Sequence, residues 1–408
     1  MNSYTQKEIL KHNKLNDCWI ILYNKVFDIT EFISNEHPGG FIPLSVAGLD
    51  ATNLFISTHP SYVKNMLNPN SDFYSKYYLG SLINEDVVLR NDSTYYKLKL
   101  EIENYMKTKN LKARDILLFD IEIILFIVTT LITYYMMLIN NTLLYSILHG
   151  ISFTFMITRT IHDCNHGALT TRNNLKRYLF TFINEVFSSN QSWQSKHNLH
   201  HMHTNDLDKD PDVKAPFRLS HNMIVKKQHK YQMFYTFILY TLFSVANLLG
   251  FRYKSEMSYE PMHSNYYYLA KTIFCLYIYL SYKFKSIYYL LIAQLVCGFY
   301  LSITFTVSHN LYYLTDNYRN NNSFLEQQLS STTDYNVGSK LTNFITHGLN
   351  HQTIHHLFPS INYYYYPRLT KDILIPFCKK HKLNYNGENK TFLNLVYVHI
   401  KSLYYWRK

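Results

Sequence analysis

The chain has 408 residues, with 40 Lys and Arg against 28 Asp and Glu and a formal charge of +12, which leaves room for two or three domains. Its basic residues are scattered between apolar segments and form no dense run. That excludes nucleic acid as the expected partner and fits positive loops beside a membrane. Five cysteines, Cys18, Cys164, Cys275, Cys297 and Cys378, are widely spaced without a CxxC pair, which argues against a disulfide framework or thiolate metal site and for a reducing compartment.

Met1 to Lys14 is polar and is not read as a signal peptide. Trp19–Leu22 and Val26–Ile29 read as short strands joined by Asn24-Lys25, with short helices following around Thr30–Ile33 and Ala51–Ile56. The informative motif is His37-Pro38-Gly39-Gly40. Pro38 fixes one backbone angle, and the glycines permit a tight turn and close approach of a flat ligand. His59 follows 22 residues after His37. Two histidines on opposite walls of an apolar crevice can take both axial positions of a haem iron, which leaves electron transfer as the chemistry.

The motif alone could be a simple turn. Its context is Asp17-Cys18-Trp19, Val26-Phe27-Asp28, Phe32, Gly48, Asp50-Ala51-Thr52 and Tyr78-Leu79-Gly80. With these pieces, residues 3–84 resemble cytochrome b5. The resemblance implies that His37 and His59 ligate haem b. Pro60 departs from the family, which more often has serine there. His12 and His149 lack such a context and are read as structural or solvent-facing.

Residues 85–113 are charged and weakly periodic, and are expected to be a flexible tether in which Tyr96–Lys107 forms an amphipathic helix. Beyond it lie apolar runs at Ile121–Ile139, Leu143–Ile161, Met233–Phe251 and Ser286–Ser308. Each is long enough to cross a hydrocarbon layer of about 30 Å, and the first two read as a helical hairpin. Tyr266–Tyr282 is shorter, tyrosine-rich and contains Lys271, so it is placed at the interface. The expected fold is multi-domain. Residues 1–84 form a small α+β haem domain and residues 85–113 a linker. Residues 114–408 form an all-α transmembrane domain with about four spanning helices and a cytosolic histidine-bearing cap.

The histidines lie in the polar stretches between these runs. In His162-Asp163-Cys164-Asn165-His166 the two histidines are four apart and share a helix face. In His197-Asn198-Leu199-His200-His201, His197 and His200 share a face and His201 lies one turn from His197. The stretch Asn350 to Pro359 admits two registers, His351 with His355, or Gln352 with His355 and His356. The spacing of the second cluster favours the latter and leaves His351 outside. His309 ends the last apolar run. Imidazole is the commonest neutral metal ligand, and these clusters supply nitrogen enough for two metal ions. Two spans before the first cluster and two between the second and third put every cluster on one membrane face, provided Tyr266–Tyr282 does not span.

HDxxH, HxxHH and QxxHH in this order resemble the membrane fatty acid desaturases. Gln352 at the head of the third box and the N-terminal haem domain resemble the front-end subgroup. Further matching pieces are Trp193 to His201, Asp210-Pro211-Asp212, Val307-Ser308-His309-Asn310 and Gly348-Leu349-Asn350. The resemblance implies a di-iron centre activated by dioxygen as co-substrate. Its catalytic ligands would be His162, His166, His197, His200, His201, His355 and His356, with His309 an eighth. Gln352 would bind weakly through its carbonyl or orient water, and Asp163 would hold an imidazole N–H.

Electrons would come from NADH through an NADH-cytochrome b5 reductase, pass singly from haem to iron, and be concentrated locally by the fusion. The substrate implied is a long acyl chain of an acyl-CoA or phospholipid. It would gain a cis double bond between an existing one and the carboxyl end. The setting implied is the endoplasmic reticulum membrane, with a multi-pass chain in contact with membrane lipid, and with haem domain and boxes facing the cytosol. Neither bond position nor acyl carrier is legible. Sphingolipid long-chain-base desaturases and membrane hydroxylases share the ligand set. The non-enzymatic alternative is a membrane-anchored haem electron carrier that no longer binds iron, against which the intact clusters argue. The family usually has an aromatic residue where His351 stands and an acidic one where Ile354 stands.

Overall fold

The computed structural model describes residues 2–40, 42–83, 93–170, 175–248, 264–316 and 323–408. At the N-terminal end five strands make one sheet in the order β1-β5-β4-β3-β2. They are β1 Asn2–Tyr4, β2 Asn13–Lys14, β3 Asp17–Leu22, β4 Lys25–Asp28 and β5 Tyr78–Leu82. β1 runs parallel to β5, and the other neighbours are antiparallel. β3 and β4 turn at Tyr23 and Asn24, with φ of 51° and 62°, a two-residue turn whose twist matches a hairpin. The turn comes one residue earlier than expected because Lys25 already pairs with Leu22. The helices Thr30–Asn35 and Thr52–Thr58 complete a core containing Cys18, Phe27, Ile33 and Leu54.

The stretch expected to be a loose tether is packed wherever it is described. Residues 84–92 lie outside the described residues. Ser93–Thr108 is a helix whose buried side carries Tyr95, Leu98, Lys99, Ile102 and Met106, a spacing of three and four that keeps one face inward. Its apolar members join Phe119, Leu357 and Phe358 in one hydrophobic cluster, and the Tyr95 hydroxyl donates to the Leu357 carbonyl at 2.6 Å. Charge along the outer face hid this stripe, and the segment acts as a strut.

The four apolar runs become the helices Leu117–Asn140, Leu143–Ile157, Gln232–Leu248 and Ile287–His309. Positions 249–251 of the third run lie outside the described residues. Asn141, left-handed at φ 51°, closes the first helix, and the Thr142 hydroxyl accepts from the Tyr145 N–H to open the second. Among the described residues only Leu117–Asn140 and Ile287–His309 are long and apolar enough to cross a membrane. The second run opens into a π turn at Thr158–His162. Leu117–Asn140 turns Ile121, Leu125, Leu131 and Ile132 outward, an apolar stripe too large to leave in water.

Tyr266–Tyr282, expected at the interface, belongs to the helix Ser264–Lys283, one side of which packs on its neighbours. The Tyr134 hydroxyl meets its Ser281 at 3.0 Å, and Lys271 Nζ donates to the Ser188 carbonyl at 2.9 Å. Tyr277 finds His149 Nε2 at 2.8 Å. Tyr277 and Lys271 are thus satisfied by neighbouring segments, while Tyr268, Tyr279 and Tyr282 stay exposed.

Two glycines set how closely these helices approach. A Cβ on Gly150 would lie 2.5 Å from the Ala293 carbonyl oxygen, and one on Gly298 2.4 Å from that of Thr241. Small residues at such crossings let backbones touch. Gly298→Val is therefore expected to destabilise the fold by about 1–3 kcal/mol through overpacking, read as a lower thermal midpoint of the full chain in detergent.

Candidate metal centre and haem crevice

Each histidine box sits on its own short helical element. His162 ends the π turn and His166 follows the helix Asp163–Asn165. Their ring centroids lie 4.8 Å apart. His197, His200 and His201 lie on Asn190–His203, started by a Ser189 cap. His355 and His356 lie on Gln352–Leu357, and His309 ends Ile287–His309.

These elements bring the rings into two groups. One contains His162, His166, His197 and His355, the other His200, His309 and His356, with ligand atoms in each within 4.8 Å of one another. His201 stands between them, 4.7 Å centroid to centroid from His166 and from His355 and stacked at 4.1 Å on His356. Nε2 atoms face each other at 3.1 Å in the pairs His162–His355 and His197–His201. His351 stays outside both groups, with Nδ1 3.0 Å from the Thr370 hydroxyl. Gln352 is buried, and its Oε1 has no hydrogen-bond partner among the described residues.

A second layer pins the opposite ring nitrogen. Nδ1 of His162 lies 3.2 Å from Asp163, that of His200 2.9 Å from Asp210, and that of His355 3.2 Å from the Tyr366 hydroxyl. His356 Nδ1 donates to Gln328 Oε1 at 2.8 Å, and His309 Nδ1 to the Ser331 carbonyl at 3.3 Å. Such bonds fix the tautomer and aim Nε2 inward. Asp163 is itself held by His347 Nε2 at 2.8 Å. Sequence reasoning noticed Asp210 without giving it a role and missed Gln328, Ser331, His347 and Tyr366. Each partners a group between 11 and 184 residues away, and only His347, beside Gly348 and close before the third box, carried any local signal.

Burial, followed by the neighbouring imidazoles, holds His166, His197, His201, His355 and His356 well below the ordinary histidine pKa. Burial also acts to lower His200, but Asp210 and then Asp212 outweigh it and raise the pKa. For Asp163 burial acts upward, and His347 and His162 together outweigh it and keep the carboxylate ionised. His166 Nε2, His201 Nδ1, His309 Nε2 and His356 Nε2 are buried with no hydrogen-bond partner among the described residues. A lone buried polar atom costs about 1–3 kcal/mol. Clustered imidazoles with few carboxylates among them are a donor set that divalent iron accepts, so the residues present fit a metal pair.

The haem motif folds into a crevice. His37 and His59 face each other with ring centroids 6.1 Å apart. Two metal–imidazole bonds of about 2 Å plus about 1 Å from nitrogen to ring centre on each side give roughly that span, so one iron fits between. His37 Nδ1 bonds the Gly40 carbonyl at 2.8 Å and His59 Nδ1 that of Phe55 at 3.1 Å, leaving Nε2 free on both. A Cβ on Gly39 would meet the His37 ring at 2.6 Å, which is why glycine stands there. Burial depresses the His37 pKa to about 4 and that of His59 to about 3.

Known proteins align over nearly the whole chain. A family model described as fatty acid desaturase matches residues 140–389, and one described as cytochrome b5-like heme/steroid binding domain matches residues 5–83. Acyl-lipid (8-3)-desaturase B of Dictyostelium discoideum is 30% identical, covering 98% of this chain and 93% of that protein. Delta(5) fatty acid desaturase A of the same organism is 29% identical over the same shares. Acyl-lipid (8-3)-desaturase of Mortierella alpina is 25% identical, covering 98% and 96%. The two histidine groups fall inside the first model's match and His37 and His59 inside the second's, and the chain belongs to the fatty acid desaturase family, with a cytochrome b5-like domain fused at its N-terminal end.

Proposed function

We propose that the protein is a front-end acyl desaturase that places a cis double bond between an existing one and the carboxyl end of a long-chain acyl lipid. The observation that carries this reading is the pair of converging imidazole groups, with Nδ1 of His162, His200, His309, His355 and His356 pinned from outside. His162, His166, His197 and His355 would hold one iron, His200, His309 and His356 the other, with His201 between them. His37 and His59 would hold haem b. A methylene offers no acidic proton or leaving group, and the bound iron pair supplies the oxidising power, with O2 as co-substrate, that its hydrogens demand. The protein's own part is to aim the ring nitrogens and exclude water. Asp163, Asp210 and Gln328 maintain the ring orientations. Gln352 is read as orienting water or the third-box helix.

Relatives named as acyl-lipid and Delta(5) desaturases favour an acyl substrate over a sphingoid base and make the fifth position the first to test. An NADH-dependent reductase is the proposed electron source. The proposed setting is the endoplasmic reticulum membrane, crossed by four helices, with both metal sites on the cytosolic side.

Expression in a yeast lacking polyunsaturates, fed defined C20 fatty acids, should yield a new bond at that position by mass spectrometry. Absence of any new unsaturation across acyl and sphingoid substrates would refute the reading. His355→Ala should lose non-haem iron and product while keeping the Soret band. His37→Ala should lose the Soret band and keep non-haem iron.

Acid should act on the crevice first through its ligands. The neutral rings are favoured by the fold, and an unfolded histidine titrates near 6.5. Their contribution is therefore complete above about pH 6.5, declines as protons bind the unfolded chain more readily, and is lost as pH falls through about 4 and then 3. A histidine NMR titration of the haem-free full chain should show both rings neutral at neutral pH and charging across that window.

A further inference from the structure

The helix Asn190–His203 has two working faces. His197, His200 and His201 belong to the metal cluster, whereas Asn198, Leu199 and Met202 meet the N-terminal domain. Asn198 Nδ2 donates to Ser45 Oγ at 2.6 Å, with both residues buried. Met202 is part of the same hydrophobic cluster as Phe27, Leu44 and Leu54. The first box reaches across too, because a Cβ on Gly167, next to His166, would lie 3.9 Å from Ile42 Cδ1. Ile42 and Ser45 share the turn Ile42–Val46 that follows His37 in the chain.

The opposite crevice wall is gripped as well. The helix Thr52–Thr58 ends at His59. Its final carbonyls accept from Lys99 Nζ, which reaches both Ile56 and His59 at 2.5 Å, from Arg114 Nη2 to Thr58 at 3.0 Å, and from Ser360 Oγ to Thr58 at 2.8 Å. Glu103 accepts from the Ser61 N–H at 2.8 Å. Cationic donors at a helix C-terminus are charge-assisted and complement its dipole. A domain that shuttled on a leash would show a polar, replaceable face. This one has an apolar side chain of its neighbour inside its own core.

We propose that the haem domain delivers electrons while docked, and that they enter the metal cluster through the Ser45–Asn198 contact and the helix bearing His197, His200 and His201. This rests on the haem and iron assignments above. In each transfer one electron leaves the ferrous haem, which becomes ferric, and reduces one ferric ion of the pair. The reductase then restores the haem.

Locking the domain in place is the test. Ser61→Cys and Glu103→Cys, outside both metal sites, are combined with Cys275→Ser to remove the exposed native thiol, and the full-length protein is bridged with a short bis-maleimide. The haem is photoreduced anaerobically in the ferric holoenzyme by a deazaflavin, and its reoxidation is followed at the α band. The bridge is expected to form in the resting protein, and bridged and unbridged samples to reoxidise within about twofold of each other. A slowing of about tenfold or more on bridging, the mark of a required opening motion, would overturn the proposal, as would failure of the bridge to form. Haem that stays reduced in both samples despite complete bridging would refute the iron assignment and the proposal with it.

Discussion

Packing eight imidazoles out of water is the constraint on which the rest of this molecule depends. Each ring has two nitrogens, and each nitrogen left alone in the interior costs free energy. The fold meets part of that demand with a ring of outside partners. Asp163, Asp210, Gln328, Ser331 and Tyr366 each take an Nδ1. Nε2 of His166, His309 and His356 has no hydrogen-bond partner among the described residues, which gives the shared space the character of a metal site. His347 behind Asp163 and Thr204 behind Gln328 at 3.0 Å extend the same logic one layer further.

That demand also explains the helices. A box five residues long can be aimed only if the element carrying it is anchored at both ends. Ile287–His309 delivers His309 from a helix clamped by Gly298 against Thr241, and the Leu117–Asn140 hairpin delivers the π turn that ends at His162. A π turn widens one loop of backbone, a common device where a side chain must be re-aimed at a functional site. Buried Arg159 within that turn is paired with Glu122, which Tyr363 also reaches at 2.8 Å, so its charge is compensated.

Much of this was legible in the sequence because it is local. Box spacing states which histidines share a face, His37 and His59 sit in recognisable surroundings, and long apolar runs announce long helices. Comparing one box with another set His351 aside, and it lies outside both imidazole groups. What was hidden is what depends on distance. Gln328 looks like any helical glutamine until it meets His356 and the His201 carbonyl. Ser93–Thr108 looked loose because its charged face dominates the composition while its apolar stripe waits for Phe119 and Phe358. In Ser264–Lys283 the partners of Tyr277 and Lys271, His149 and Ser188, were equally hidden, being far off in the chain.

Met202 carries a consequence for how such a chain can evolve or be re-engineered. By sequence the haem domain ends near residue 84, and a cut there appears clean. By packing it does not end there, since its core borrows a methionine from the helix of the second box and lends Ile56 to the neighbouring core. A foreign haem domain grafted at that point would arrive with a hole where Met202 should insert and without carbonyls placed for Lys99. Gene fusion here has matured into mutual completion, and the two halves are no longer interchangeable parts.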